Sequence, residues 1–281
     1  MVLMGAVPVI IRHLSANVWT IGLVRLAFGV VGMAAILTAT SGWERPSRRE
    51  WGGLLLVGVL FACHWSLYFL SVKVSSASMA VIGQSTFGVH LVVLGWLIGH
   101  HAVRARDLAA VALAVAGALL AAPRWSLADR GTLGLSIGIL SAFFYSFLPI
   151  LHQRLARLSA LVRVLGQFGF ALLVFLLFLP WADFRLPGGD WWWLTVLGVA
   201  CTLVLHTVWT DVTTRLSTLT TSVIFYLAVP VTLVFSVVFL GERVTPAMLG
   251  GAALIVAGNV LSLIDARDRE ARAPDDATAA M

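Results

Sequence analysis

An all-α membrane protein, with ten transmembrane helices arranged as two inverted five-helix repeats, is predicted by three features of this chain: its apolarity, its spacing of charges, and an internal duplication. Hydrophobic residues make up 60% of the 281 and charged residues 11%, against about 25% charged in ordinary soluble domains. A water-soluble fold cannot hide that much apolar surface. Residues 74–121 carry Val-Ser-Ser-Ala-Ser-Met-Ala-Val-Ile, an apolar run to Gly99, a short polar turn and Val115-Ala116-Gly117. Residues 216–263 carry Leu-Ser-Thr-Leu-Thr-Thr-Ser-Val-Ile, an apolar run to Gly241, a short polar turn and Val256-Ala257-Gly258. The offset is 142 residues early in the stretch and 141 at its end, and the shift of 141 also takes Pro8 to Pro149 and Trp65 to His206. So long a period in an apolar chain marks a duplicated helix bundle rather than a solenoid.

A bilayer core of about 30 Å takes roughly 20 apolar residues per helix. The first run, 1–11, is too short to cross as written: either the true start lies upstream or the helix is only partly present. Runs two and three, 18–37 and 52–72, are separated by Arg45, Arg48 and Arg49, and the fourth, 77–98, follows Lys73. The fifth, 108–122, is short and follows Arg104 and Arg106; the sixth, 133–151, follows Arg124 and Arg130. The seventh, 160–181, follows Arg154 and Arg157, and the eighth, 191–212, opens on three tryptophans after Arg185. The ninth, 219–240, follows Arg215; the tenth, 248–264, follows Arg243 and is short like its counterpart, the fifth. Two units result, 1–122 and 131–264, and the polar segment 265–281 is expected to be a disordered cytoplasmic tail.

Orientation follows the basic residues. With a cytoplasmic N-terminus the inner connections hold twelve Lys and Arg and the outer ones six, which favours both termini inside and an inner-membrane, multi-pass location. An odd number of spans in each unit then inserts the second unit upside down relative to the first. Trp43, Trp51, Trp125, Trp181, Trp191, Trp192 and Trp193 fall at span ends, where indole sits among headgroups. A formal charge of +6 would suggest nucleic acid for a soluble protein; here the charges lie between apolar runs, so the expected partners are the lipid bilayer and a small molecule. Cys63 and Cys201 both fall inside apolar runs, which suits neither a disulfide nor a metal site.

The turn Gly241-Glu242-Arg243-Val244-Thr245 and the following Gly251-Ala252-Ala253-Leu254-Ile255-Val256-Ala257-Gly258 resemble the end of an EamA domain of the drug/metabolite transporter superfamily. The first half is similar in more worn form, with Gly99-His100-His101 in place of Gly-Glu-Arg. The resemblance covers essentially the whole chain as two tandem domains. It implies a ten-helix inner-membrane carrier, commonly an exporter of metabolites or amino acids, and does not fix a substrate. The Gly-Glu-Arg turn caps a helix or holds an outer loop on this reading, with a binding role the lesser alternative.

Polar side chains at membrane depth are costly and face a cavity or another helix. The third run carries His64, Trp65 and Tyr68, and the eighth His206 and Trp209; the 141 shift maps Trp65 and Tyr68 onto His206 and Trp209. Residues three apart share a helix face, so two inverted helices would present matched rings. They either line a cavity that stacks on a substrate or pack helix on helix. Pro230 interrupts the ninth run and Gly88 holds the matching place in the fourth, so both helices are expected to bend at that depth, as hinges or as plain kinks. Gln84 and Tyr226 lie beside these two points and are expected to join the matched rings in lining a substrate site. Arg25, the one strongly charged residue well inside a run, either snorkels toward the interface or hooks a substrate carboxylate.

None of the thirteen acidic residues lies centrally in a run, which disfavours exchange of lipophilic cations against protons. His64, His90 and His206 remain as groups able to exchange protons near neutral pH. A membrane-embedded enzyme would want carboxylates or a Cys cluster near those histidines, and a scaffold or sensor a soluble domain; neither is present in the sequence, and no cofactor, catalytic or metal-binding set is expected. Ala110, Ala114 and Ala118 form a small-residue ridge on the fifth run, and Ala253 and Ala257 a shorter one on the tenth. Close helix packing within the monomer is the first use of such ridges; a homodimer interface is the alternative.

Overall fold

The computed structural model describes residues 1–98, 104–124, 126–215 and 225–272. Gly99-His100-His101, Trp125, the start of the ninth run and the end of the tail lie outside the described residues. Among those described, the chain is all helix, without strands. Five stretches are long and apolar enough to cross a membrane: Val18–Ala39, Arg48–Val74, Ala77–Ile98, Arg130–Arg154 and Gly188–Val212. Shorter apolar helices cover Val2–His13, Ala160–Leu176, Ala228–Leu240 and Pro246–Leu261, and a further helix covers the fifth run.

In chain order α1 is Val2–His13, α2 Val18–Ala39, α3 Arg48–Val74, α4 Ala77–Gln84, α5 Phe87–Ile98 and α6 Ala105–Ala121. The second unit has α7 at Arg130–Arg154, α8 at Ala160–Leu176, α9 at Gly188–Gly198, α10 at Leu205–Arg215, α11 at Ala228–Leu240 and α12 at Pro246–Arg272. Their starts follow local chemistry. Asn17, Ser76, Asp129 and Ser159 each accept a backbone N–H of the first turn, and Ser47 with Glu50 closes a reciprocal capping box on α3. The seventh run is shorter than read from sequence. Its helix stops at Leu176, and a 3-10 turn through Pro180 covers Leu179–Trp181. At the other end, α12 continues to Arg272, into the segment expected to be disordered.

Two breaks are the features that position the site. The fourth run is split between α4 and α5 at Ser85 and Thr86, whose hydroxyls donate to the carbonyls of Val81 and Gly83. Such back-bonding competes with the helix and bends it. Gly88 lies just beyond, inside α5, where a Cβ would collide with the Tyr226 hydroxyl and Asn259 Oδ1. Its role here is close packing, not the bend itself. In the ninth run the chain breaks at Leu227, ahead of α11. Pro230 explains the position, because its missing N–H and its ring oppose the carbonyl four residues earlier, that of Tyr226. Shifted by 142, Ser85 falls on Leu227, so the two breaks are counterparts.

The largest core joins α2, α3 and α8, with Phe61, Phe69, Phe168 and Phe175 fully buried. A second joins α4, α7, α11 and α12 through Ile82, Leu135, Val229 and Ile255. On α6, Ala110 and Ala114 are buried against α12 at Gly258, so that ridge is used within the chain. Ala253 and Ala257 face outward instead, and it is Gly251, Ile255 and Gly258 that form the α12 side of this seam. The Gly-Glu-Arg turn ties the units together. Gly241 adopts φ +64°, and the Glu242 carboxylate accepts from Ala77 N at 2.8 Å, Ser78 N at 3.0 Å and Ser78 Oγ at 2.6 Å. A side chain of the second unit thus caps the N-terminus of α4 in the first.

Candidate functional site

Between the two breaks lies a cavity of about 90 Å³, lined from α1, α2, α3, α4, α7, α10 and α11. Arg25, His64, Trp65, Tyr68, Gln84, His206 and Trp209, seven side chains singled out from sequence, all line it. No acidic side chain is among the described residues that do.

Arg25 comes from the second turn of α2 and is 1% exposed. It does not snorkel; the guanidinium points inward. Nε donates to Thr202 Oγ1 at 2.9 Å, and Cζ lies 4.1 Å from the centroid of the Trp65 ring, a cation–π contact. Thr202 in turn donates to the carbonyl of Leu197, five residues back, at 2.8 Å. This reach belongs to the π-helical turn Val199–Val204 between α9 and α10. Such turns are frequent at functional sites because they re-aim side chains. The NH1 group of Arg25 is buried with no hydrogen-bond partner among the described residues.

Two rings that the 141 shift matches, Trp65 and His206, lie against each other, with centroids 5.6 Å apart at 61°. Phe61 and Phe168 close around the same imidazole at 5.6 and 5.7 Å. Trp65 is 3% exposed and also packs on Phe69, so it lines the cavity and fills the core at once. The other pair is apart. Tyr68 lies near-parallel to His64 at 6.0 Å, while Trp209 donates from Nε1 to the Tyr145 hydroxyl at 3.3 Å.

His64 is held from its far side. Its Nδ1 lies 2.8 Å from Ser141 Oγ and 3.2 Å from the Ser141 carbonyl oxygen, and Ser141 Oγ lies 3.2 Å from Gln84 Oε1. Three helices, α3, α7 and the end of α4, meet in that cluster.

Tyr226 does not line the cavity. It packs with Phe87 and Ala142 in a separate cluster, its hydroxyl against Gly88. Phe225, one residue earlier and therefore about 100° round the helix, takes the place expected for it and lies 5.9 Å from Trp209. His90 does not reach the cavity either; it faces Phe143.

Residues not read from sequence include Tyr145, Phe225, Thr202 and Ser141. Tyr145 had a signal: the shift of 141 that pairs Trp65 with His206 pairs it with Met4, which lines the cavity too. Thr202 and Ser141 had none, since a π turn and a cross-helix contact leave no mark on periodicity.

Comparison with known proteins agrees with this architecture. A solved crystal structure superposes with a TM-score of 0.68 at 19% identity, covering 95% of either chain. An uncharacterized transporter of Bacillus subtilis (strain 168), YxxF, is 24% identical over 270 residues, 94% of this chain and 87% of the relative. The model of the EamA-like transporter family matches twice in tandem, over residues 1–122 and 132–264. With both halves matched around one interior cavity, the chain belongs to the EamA-like transporter family.

Proposed function

We propose that the protein is a secondary transporter of the inner membrane that exports a small polar metabolite bearing a carboxylate, amino-acid-like and neutral or anionic overall. Ten spans form two inverted five-helix halves with both termini cytoplasmic, and transport proceeds by alternating access between them. The observation that carries this is Arg25: a buried guanidinium at the wall of a ring-lined cavity, with NH1 unpartnered and no carboxylate beside it among the described residues. An unpaired buried charge is expensive, and at membrane depth it marks a site for a counter-charge. A carboxylate that enters and leaves supplies that counter-charge without fixing it in the protein. Trp65, Tyr68 and Trp209 offer flat apolar walls for the rest of the molecule, and such ring contacts give about 0.5–1.5 kcal/mol each beyond area burial. The breaks at Ser85–Thr86 and Leu227 flank the cavity, where small dihedral changes would swing α5 on the inner side and α11 on the outer.

The test is counterflow of labelled amino acids and small carboxylates into proteoliposomes. Arg25→Gln is expected to weaken any transported carboxylate by about tenfold to a hundredfold, the loss typical of hydrogen bonds to charged groups. Counterflow by Arg25→Gln equal to wild type would overturn the proposal.

A further inference from the structure

The Arg25 site accounts for one end of a substrate; the geometry around His64 assigns the other. Ser141 O is a carbonyl and can only accept, so the Nδ1 facing it at 3.2 Å must carry the proton in the neutral imidazole. A bare Nδ1 would set lone pair against lone pair. The serine hydroxyl fits the same assignment: it accepts from Nδ1 at 2.8 Å and sends its own proton to the His64 carbonyl at 2.9 Å or to Gln84 Oε1 at 3.2 Å. Ser141 is fully buried, so water does not offer the ring another partner there. With Nδ1 committed as donor, the other nitrogen is an acceptor. Nε2 has no hydrogen-bond partner among the described residues, and His64 lines the cavity.

We infer that Ser141 is a positioning residue that locks the His64 tautomer, so that His64 Nε2 accepts a hydrogen bond from a donor on the substrate while Arg25 holds its carboxylate. The site then selects carboxylates that also carry an N–H or O–H donor over the same carboxylates without one. This rests on the carboxylate reading above and adds the second contact. A hydroxyl or ammonium lost from the ligand leaves Nε2 desolvated and unpaired, which is where such discrimination comes from.

The experiment measures binding of matched labelled pairs to the purified, full-length protein: leucine with 4-methylpentanoate, and phenylalanine with 3-phenylpropionate. Wild type is expected to prefer the aminated member of a pair by about threefold to tenfold or more. Ser141→Ala is expected to pull that ratio toward one while the des-amino affinity stays within about twofold. Arg25→Gln should weaken both members and leave the ratio. If Ser141→Ala does not fold, His64→Gln and His64→Asn carry the test. A Gln amide reaches the Nε2 position and should keep the preference, whereas an Asn amide reaches only the Nδ1 position and should lose it. An unchanged ratio in Ser141→Ala, or equal ratios in the two His64 variants, overturns the inference. If wild type binds the des-amino carboxylates and Arg25→Gln does not, yet amination gives no preference, the tautomer inference fails while the carboxylate site stands. If wild type binds neither member of either pair, the carboxylate reading falls and this inference with it.

Discussion

Removing the Glu242 carboxylate is the sharpest perturbation the fold offers away from the cavity. Two backbone donors, Ala77 N and Ser78 N, and the Ser78 hydroxyl all converge on it. Losing an N-cap acceptor costs about 0.5–2 kcal/mol, and losing a negative charge at a helix N-terminus in a partly buried setting up to about 2 kcal/mol. Glu242→Ala is therefore expected to destabilise by about 2–4 kcal/mol. Glu242→Gln keeps one acceptor and the side-chain shape, and should cost about half as much. Cys63 is half-buried and Cys201 buried, so a thiol-reactive fluorophore reports unfolding in detergent without an added label. At roughly 2–4 °C per kcal/mol for a domain of this order, the alanine variant should melt about 4–16 °C lower. Ser78 also meets Ser236 Oγ at 2.7 Å, so Ser78→Ala costs something by itself. The decisive quantity is the coupling in the double-mutant cycle, expected at about 1 kcal/mol or more. A Glu242→Ala protein within about 0.5 kcal/mol of wild type, or a coupling near zero, would show that the turn does not hold α4.

Trp209→Ala should lower substrate affinity several-fold with little loss of folded protein, because the ring is only half-buried at the cavity. Trp65→Ala should instead lose about 3–5 kcal/mol of stability, since that ring is wedged among Phe61, Phe69 and Phe168; equal yields of the two folded variants would contradict this. A reporter fused after Ala279 is expected to be active only in its cytoplasmic form, and a periplasmic signal would refute the inverted arrangement. If an imposed pH gradient, with membrane potential clamped, drives transport, the double variant His64→Gln with His206→Gln should lose that response; its persistence would remove the histidines from coupling.

Much of the helix layout is written in local chemistry. Apolar length and basic turns delimit α2 and α3, Ser47 with Glu50 starts α3, and Gly241 ends α11, each acting over a few neighbouring residues. The duplication added a long-range rule, and through it Trp65 and His206 could be paired before any coordinates, because repeated units bring equivalent positions to a common interface. Tertiary structure decided the rest. Whether Arg25 reaches out to the interface or in toward Thr202 depends on which helices surround α2, and no periodicity in α2 encodes that. The π turn at Val199–Val204 shifts the facing of Thr202, and it is Phe225 rather than Tyr226 that meets the cavity. A helix face rotates about 100° with each residue, so a one-residue change in winding exchanges a cavity side chain for a packing one. The lock of Ser141 on His64 spans 77 residues. Such a contact exists only once α3 and α7 are side by side, so sequence fixes its atoms but packing alone makes it a site.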